Sequence, residues 1–90
     1  MDKLAILRED MDSIDNHIVQ LFVERMDISK KVAKEKEKRN LPIYDEKREN
    51  AVLIRISRMV DEEIQPYLVE LYHSIMDISK EYQEKFFHKG

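Results

Sequence analysis

The sequence predicts an all-α chain of three helices, one long and two of medium length. Three observations predict it. Apolar residues recur every three or four positions through most of the chain, which is the helical period. Only one of the 90 residues is Gly, and it is the last. Only two are Pro, at 42 and 66, and both fall where the apolar pattern lapses. So little punctuation means few elements, and each must be long.

The length bounds the rest. Ninety residues make one domain, here taken as 1–90, with no room for a second. A long-helix chain of this size exposes much surface for its volume, which forming an oligomer would relieve. Charged residues are 39% of the chain and net charge is −3, with both signs finely mixed. That pattern argues against a nucleic-acid stripe and against a basic membrane-surface helix. The chain has no cysteine, which excludes disulfides and thiol chemistry. No apolar run reaches membrane-spanning length, and Met1-Asp2-Lys3-Leu4 does not begin a signal peptide. A cytoplasmic protein is expected.

The first helix is expected over 4–38, with Asp2 as its N-cap. Its apolar seam reads Leu4, Leu7, Met11, Ile14, Ile18 and Leu21, then resumes at Ile28 and Val32. Arg25 sits on that seam. A guanidinium there is costly unless an anion meets it, so this helix should line a binding site. Basic residues gather at its end and suit the helix dipole. Asn40 can take a left-handed cap and Pro42 follows, giving a short connection over 40–44.

The second helix is expected from Asp45 to about Val60, with Val52, Ile56 and Met59 facing inward. Traced backwards, that stripe meets Glu49, Arg48 and Asp45. The acidic run 61–63 and Pro66 then mark the second break. The third helix is expected from Pro66 to about Phe86. Leu68, Leu71, Ile75, Ile78 and Tyr82 form one line, and Tyr72, Met76, Ser79 and Gln83 the adjacent one. The tail from Phe87 should fray. The methionines and phenylalanines read as core.

Every inward stripe therefore turns polar somewhere. Arg25 and Lys36 are eleven residues apart, which leaves them within roughly 20° on the helix wheel. Asp45, Arg48 and Glu49 are neighbours at i, i+3 and i+4, and Ser79 and Gln83 at i and i+4. Together they offer cations, two carboxylates, a hydroxyl and an amide. Such a set suits a small hydroxylated polyanion, since Arg grips a carboxylate through two parallel hydrogen bonds. Taken singly, Arg48 and Glu49 read more readily as surface ion-pair members, and Ser79 as bonded back to its own helix, whereas Arg25 on its seam does not; it is the coincidence on all three stripes that points to a site. His73 and Asp77 could share a metal at i, i+4, but that face has no third ligand, so no metal is expected. His17 and His88 read as surface residues. There is no nucleophile constellation and no phosphate-cradling loop.

These residues, in this order, resemble the all-helical class of chorismate mutases over essentially the whole chain. The resemblance is carried by Leu7-Arg8 with Ile14-Asp15 beyond, Glu24-Arg25, Val32-Ala33 with Lys36, Pro42-Ile43 with Asp45 and Arg48-Glu49, and Ile75-Met76 with Ser79 and Gln83. It implies an intertwined homodimer in which each site borrows an arginine, here Arg8, from the partner's first helix. It also implies an intramolecular [3,3] rearrangement of chorismate to prephenate, in aromatic amino-acid biosynthesis, that needs no cofactor. In that scheme the partner's Arg8 and Arg25 grip the two carboxylates with help from Ser79. Lys36 and Gln83 donate to the ether oxygen, Glu49 and the Asp45 region accept the ring hydroxyl, and Arg48 holds that corner. Arg8 and Arg25 would lie about 25 Å apart on one straight helix, too far to grip one small molecule from a single chain.

Two other readings fit parts of the sequence. An isochorismate-pyruvate lyase resembles the same fold and also wants a lysine at the ether oxygen. A non-catalytic helical dimerisation module would use the first seam as a coiled-coil interface, with Arg25 setting its register.

Overall fold

A computed structural model describes residues 2–87. Three helices follow one another: α1 (Lys3–Lys38), α2 (Glu46–Ser57) and α3 (Gln65–Glu84). No strand occurs among the described residues.

Helix α1 starts where Asp2 accepts a hydrogen bond from the Leu4 N–H at 3.0 Å. It runs 36 residues without a break. Its end is a Schellman turn: Leu41 N–H bonds the Lys36 carbonyl and Asn40 N–H bonds the Glu37 carbonyl. Asn40 supplies the left-handed residue this turn needs, at φ 55°. Asp45 then caps α2 by accepting from the Arg48 N–H at 3.0 Å.

Helix α2 ends at Ser57, short of the expected Val60. The cause is non-local. The Ser57 carbonyl, one of the last of the helix, is taken by Gln65 Nε2 at 2.7 Å. The Ser57 hydroxyl bonds the Ile54 carbonyl at 2.9 Å. With those groups satisfied the chain turns and leaves Met59 outside. Helix α3 begins at Gln65, with Pro66 in its first turn, where a missing N–H costs nothing.

Helix α3 packs on both α1 and α2, and those two do not pack on each other. The core lies where α2 meets α3: Val52, Ile56 and Met76, flanked by Leu53, Leu68, Val69 and Tyr72. On α1 the closest approach to the rest of the chain is at Ser29 and Ala33, the buried residues of that helix. Small side chains there let the backbones come close. Near the far end of α3, Tyr82 and Phe86 stack edge to face, and Lys30 lies over the Phe86 ring.

The expectation that methionines and phenylalanines form the core is corrected. Among the described residues only Met76 of that set is buried, while Met11, Met59 and Phe22 are exposed. Met59 lies beyond the end of α2. Met11 and Phe22 lie on residues 2–24, all of them exposed, although Ile18, Leu21 and Phe22 border α3 across an apolar groove with Leu71, Tyr72 and Ile75. The first line on α3 is also less buried than the second: Leu71 and Ile78 are exposed. Of the tail expected to fray, Phe87 is half-buried, and His88 to Gly90 lie outside the described residues.

The molecule is consequently elongated, 58 × 26 × 15 Å. Its radius of gyration is 16.7 Å, against about 12 Å for a compact chain of this length. No helix among the described residues is long and apolar enough to cross a membrane.

Candidate functional site

The gap between α1 and α2, with α3 beneath it, is a cleft of about 350 Å³. Its lining includes seven of the eight residues singled out from sequence: Arg25, Lys36, Asp45, Arg48, Glu49, Ser79 and Gln83. The eighth, Arg8, is exposed, nearly half the length of α1 away from Arg25, and lines no part of it. Ile28, Val32, Ile43, Val52 and Met76 supply apolar wall between the polar groups.

Helix α1 contributes two of the cations, Arg25 and Lys36. Arg25, Ser29, Val32 and Lys36 recur at the helical period, so one stripe faces the cleft. The Arg25 guanidinium lies over the Tyr72 ring, 6.0 Å from its centroid. Lys36 Nζ donates to the Ile43 carbonyl. That bond follows from the Schellman turn, which folds 40–44 back across the end of α1. It holds one of the three ammonium hydrogens and leaves two for a ligand.

Helix α3 contributes the buried polar floor. Ser29 Oγ and Ser79 Oγ are 2.6 Å apart, a hydroxyl pair tying α1 to α3. Gln83 Nε2 donates to Ser79 Oγ at 3.2 Å. Gln83 Oε1 is buried without a hydrogen-bond partner among the described residues. An orphaned acceptor of this kind costs about 1–3 kcal/mol in a folded protein.

The carboxylates are already engaged. Asp45 caps α2, and that cap is what holds Arg48 and Glu49 at the start of the helix. Glu49 Oε2 pairs with Lys80 Nζ at 2.9 Å, and Lys80 also reaches Asp77 at 3.4 Å. The hydrogen bond to Glu49 is the main reason the Lys80 pKa is raised above the ordinary 10.5, with Asp77 adding to it against some desolvation. Asp77 is thus bound to Lys80 and not to His73. Among the described residues no three His, Cys, Asp or Glu side chains gather as a metal ion would require. His17 is exposed and within 3.0 Å of the Ser13 carbonyl.

The balance leaves the cleft cationic. Five basic side chains line it against two carboxylates. Neither Arg25 nor Arg48 pairs with a carboxylate among the described residues. Such a cleft can hold a small dianion and offer hydrogen-bond donors from Lys36 and Gln83 to one further oxygen.

Three lining residues were not singled out from sequence: Ser29, Arg55 and Lys80. Ser29 carried a usable signal, since it lies four residues after Arg25 and seven before Lys36, on the same stripe. Lys80 carried none, because a lysine beside Ser79 reads as solvated charge until α2 is placed against it.

The sequence pattern of the chorismate mutase type II family matches residues 7–84. A chorismate mutase of Methanocaldococcus jannaschii is 32% identical over 96% of this chain and 89% of its own length. A bifunctional chorismate mutase/prephenate dehydratase of Aquifex aeolicus is 32% identical over 94% of the chain, which spans 25% of that protein. The T-protein of Haemophilus influenzae is 42% identical over 59% of the chain, spanning 14% of its length. No solved structure matches significantly. The matched pattern spans all three helices and every residue of the cleft, and the archaeal relative aligns along nearly the whole chain: this protein belongs to the chorismate mutase type II family.

Proposed function

We propose that the chain, as one catalytic domain, converts chorismate to prephenate in the cleft between α1 and α2. The observation that carries this reading is the gathering of Arg25, Lys36, Arg48, Ser79 and Gln83 around one cationic cleft whose carboxylates are already partnered. The substrate is a dianion with an ether oxygen and a ring hydroxyl, and those donors match it group for group.

The reaction forms a carbon–carbon bond as the ether carbon–oxygen bond breaks, within one molecule. No group is transferred to the protein. Two effects then supply the rate. Cations fixed at both carboxylates hold the side chain folded over the ring, which removes an entropic cost from the barrier. Donors aimed at the ether oxygen meet negative charge as it develops. Lys36 serves this second role, pre-aimed by its bond to Ile43. Gln83 serves it too, with Ser79 and Ser29 bracing the amide. Arg25 binds one carboxylate. Glu49 and the region of Asp45 accept the ring hydroxyl, and Arg48 holds that corner.

The working unit in this reading is a homodimer in the cytoplasm. Leu4, Leu7, Met11, Ile14, Ile18 and Leu21 are all exposed on α1, a seam that a second α1 would cover. The partner subunit's Arg8 then completes each cleft at the second carboxylate.

The test is the purified chain mixed with chorismate, without metal or cofactor, with the product identified. Saturable formation of prephenate is expected. Inertness towards chorismate with pyruvate release from isochorismate would assign the chain to the lyase chemistry instead. A folded dimer inert to both would leave a dimerisation module.

A further inference from the structure

We propose that Lys80 is a positioning residue for Glu49, keeping that carboxylate turned towards the substrate hydroxyl and away from the cations that grip the substrate. The proposal rests on the functional reading above. Its basis is geometric. The Lys80 ammonium is held from three parts of the chain at once: by Glu49 of α2 at 2.9 Å, by Asp77 of α3 at 3.4 Å, and by the Tyr44 ring of the connecting segment, 4.8 Å to its centroid. A lysine head on a flexible stem is ordinarily mobile, and exposed pairs of this kind contribute little. This pair is sheltered, with the Lys80 and Glu49 side chains 26% and 22% exposed.

The need for such a brace follows from the charges around it. Glu49 shares the cleft with Arg25, Lys36 and Arg48. An unbraced carboxylate among them would pair with one of those cations in the empty cleft. The substrate would then have to displace it before its own carboxylates could bind. Lys80 takes Oε2 of Glu49 and thereby removes that competition, leaving Oε1 to accept the ring hydroxyl. Asp77 and Tyr44 anchor the Lys80 head on its own side of the cleft.

Lys80→Met keeps most of the stem and removes the charge. The expected result is a KM for chorismate about tenfold higher with kcat changed less than about twofold, because the lost contact is shared by ground state and transition state. Lys80→Arg restores most of the loss. In a Glu49→Gln background, itself impaired, Lys80→Met causes no further rise in KM. Tyr44→Leu, at an exposed residue outside the cleft lining, raises KM about threefold and only while Lys80 is present. That variant decides the matter if Lys80→Met fails to fold, as checked by circular dichroism.

A Glu49→Gln chain with the parent's kinetics overturns the assignment of Glu49, and this proposal with it. A crippled Glu49→Gln chain beside an unimpaired Lys80→Met chain overturns the role of Lys80 alone. So does an equal loss from Lys80→Met with and without Glu49. A parent chain inert towards chorismate overturns the functional reading from which both start.

Discussion

At the scale of single residues, the cleft separates groups that bind from groups that act on the barrier. In the proposed reaction Lys36 belongs to the second kind, since the ether oxygen assigned to it is most negative in the transition state. Lys36→Met should lower kcat by about 10²–10³ and change KM far less, as steady-state kinetics would record. The proposal gives Gln83 the same oxygen; as a neutral amide its donation does not depend on pH. A Gln83→Glu variant donates only when its carboxyl is protonated, and its activity should rise as pH falls. A flat pH–rate profile in that variant would take Gln83 out of the ether-oxygen role. Ser29 works at one remove, through Ser79. Ser29→Ala leaves the Ser79 hydroxyl with one partner fewer inside the protein, at about 1 kcal/mol in a urea melt. It should also lower kcat severalfold by loosening Gln83, while a variant with an intact Gln83 brace would not.

At the scale of elements, α1 and α2 are each held at the end that faces the cleft. Asp45 does this for α2, a helix of only twelve residues. Asp45→Ala should cost about 1 kcal/mol of stability, measured by denaturant unfolding. The loss should extend to turnover, because Arg48 and Glu49 sit in the turn that the cap forms. The ion pair of Lys80 with Glu49 joins α2 to α3, and its pH dependence has a definite sign. The folded-state pKa of Lys80 is raised, chiefly by the bond to Glu49. Its contribution is therefore complete below the ordinary value of 10.5 and is lost as pH rises through the raised one. The stability gap between the parent and Lys80→Met should accordingly close above pH 10.5 and not at neutral pH.

The elements also show what could be read from sequence and what could not. The limits of α1 were legible because both its ends are local: Asp2 before it, and Asn40 with Pro42 after it. The end of α2 was not, because Met59 and Val60 continue the apolar pattern and the stop comes from Gln65, eight residues on. The cleft was legible through periodicity, which places Arg25 with Lys36 and Ser79 with Gln83 on single faces. Lys80 and Arg55 were hidden because their place depends on how two helices meet. The depth of Met11 and Phe22 was misread because a sequence pattern reports which face is apolar, not what covers it.

At the scale of the whole molecule, the proposed homodimer answers two features together, the exposed apolar seam of α1 and the distance of Arg8 from the cleft. Analytical ultracentrifugation should give a dimer. Mixing experiments should then show that sites are shared. Arg8→Ala chains and Arg25→Ala chains should each be nearly inactive alone. In a heterodimer of the two, one of the two clefts has both arginines intact. A random one-to-one mixture should therefore recover about a quarter of the parent's activity. No recovery on mixing, with heterodimers demonstrated, would mean that Arg8 acts within its own chain.

The unbroken run of α1 has a consequence for how such a chain can change over time. One continuous helix, 36 residues long, carries Arg8 and Arg25 on a common axis. In the proposed dimer its backbone is thus a ruler between two clefts. One residue inserted between the arginines would swing Arg8 about 100° around the axis and slide it about 1.5 Å along. Seven would return it nearly to its original face but carry it about 10 Å too far. Loops elsewhere absorb insertions at small cost. This segment has no loop to absorb them, so substitutions in it can accumulate while its length stays the same.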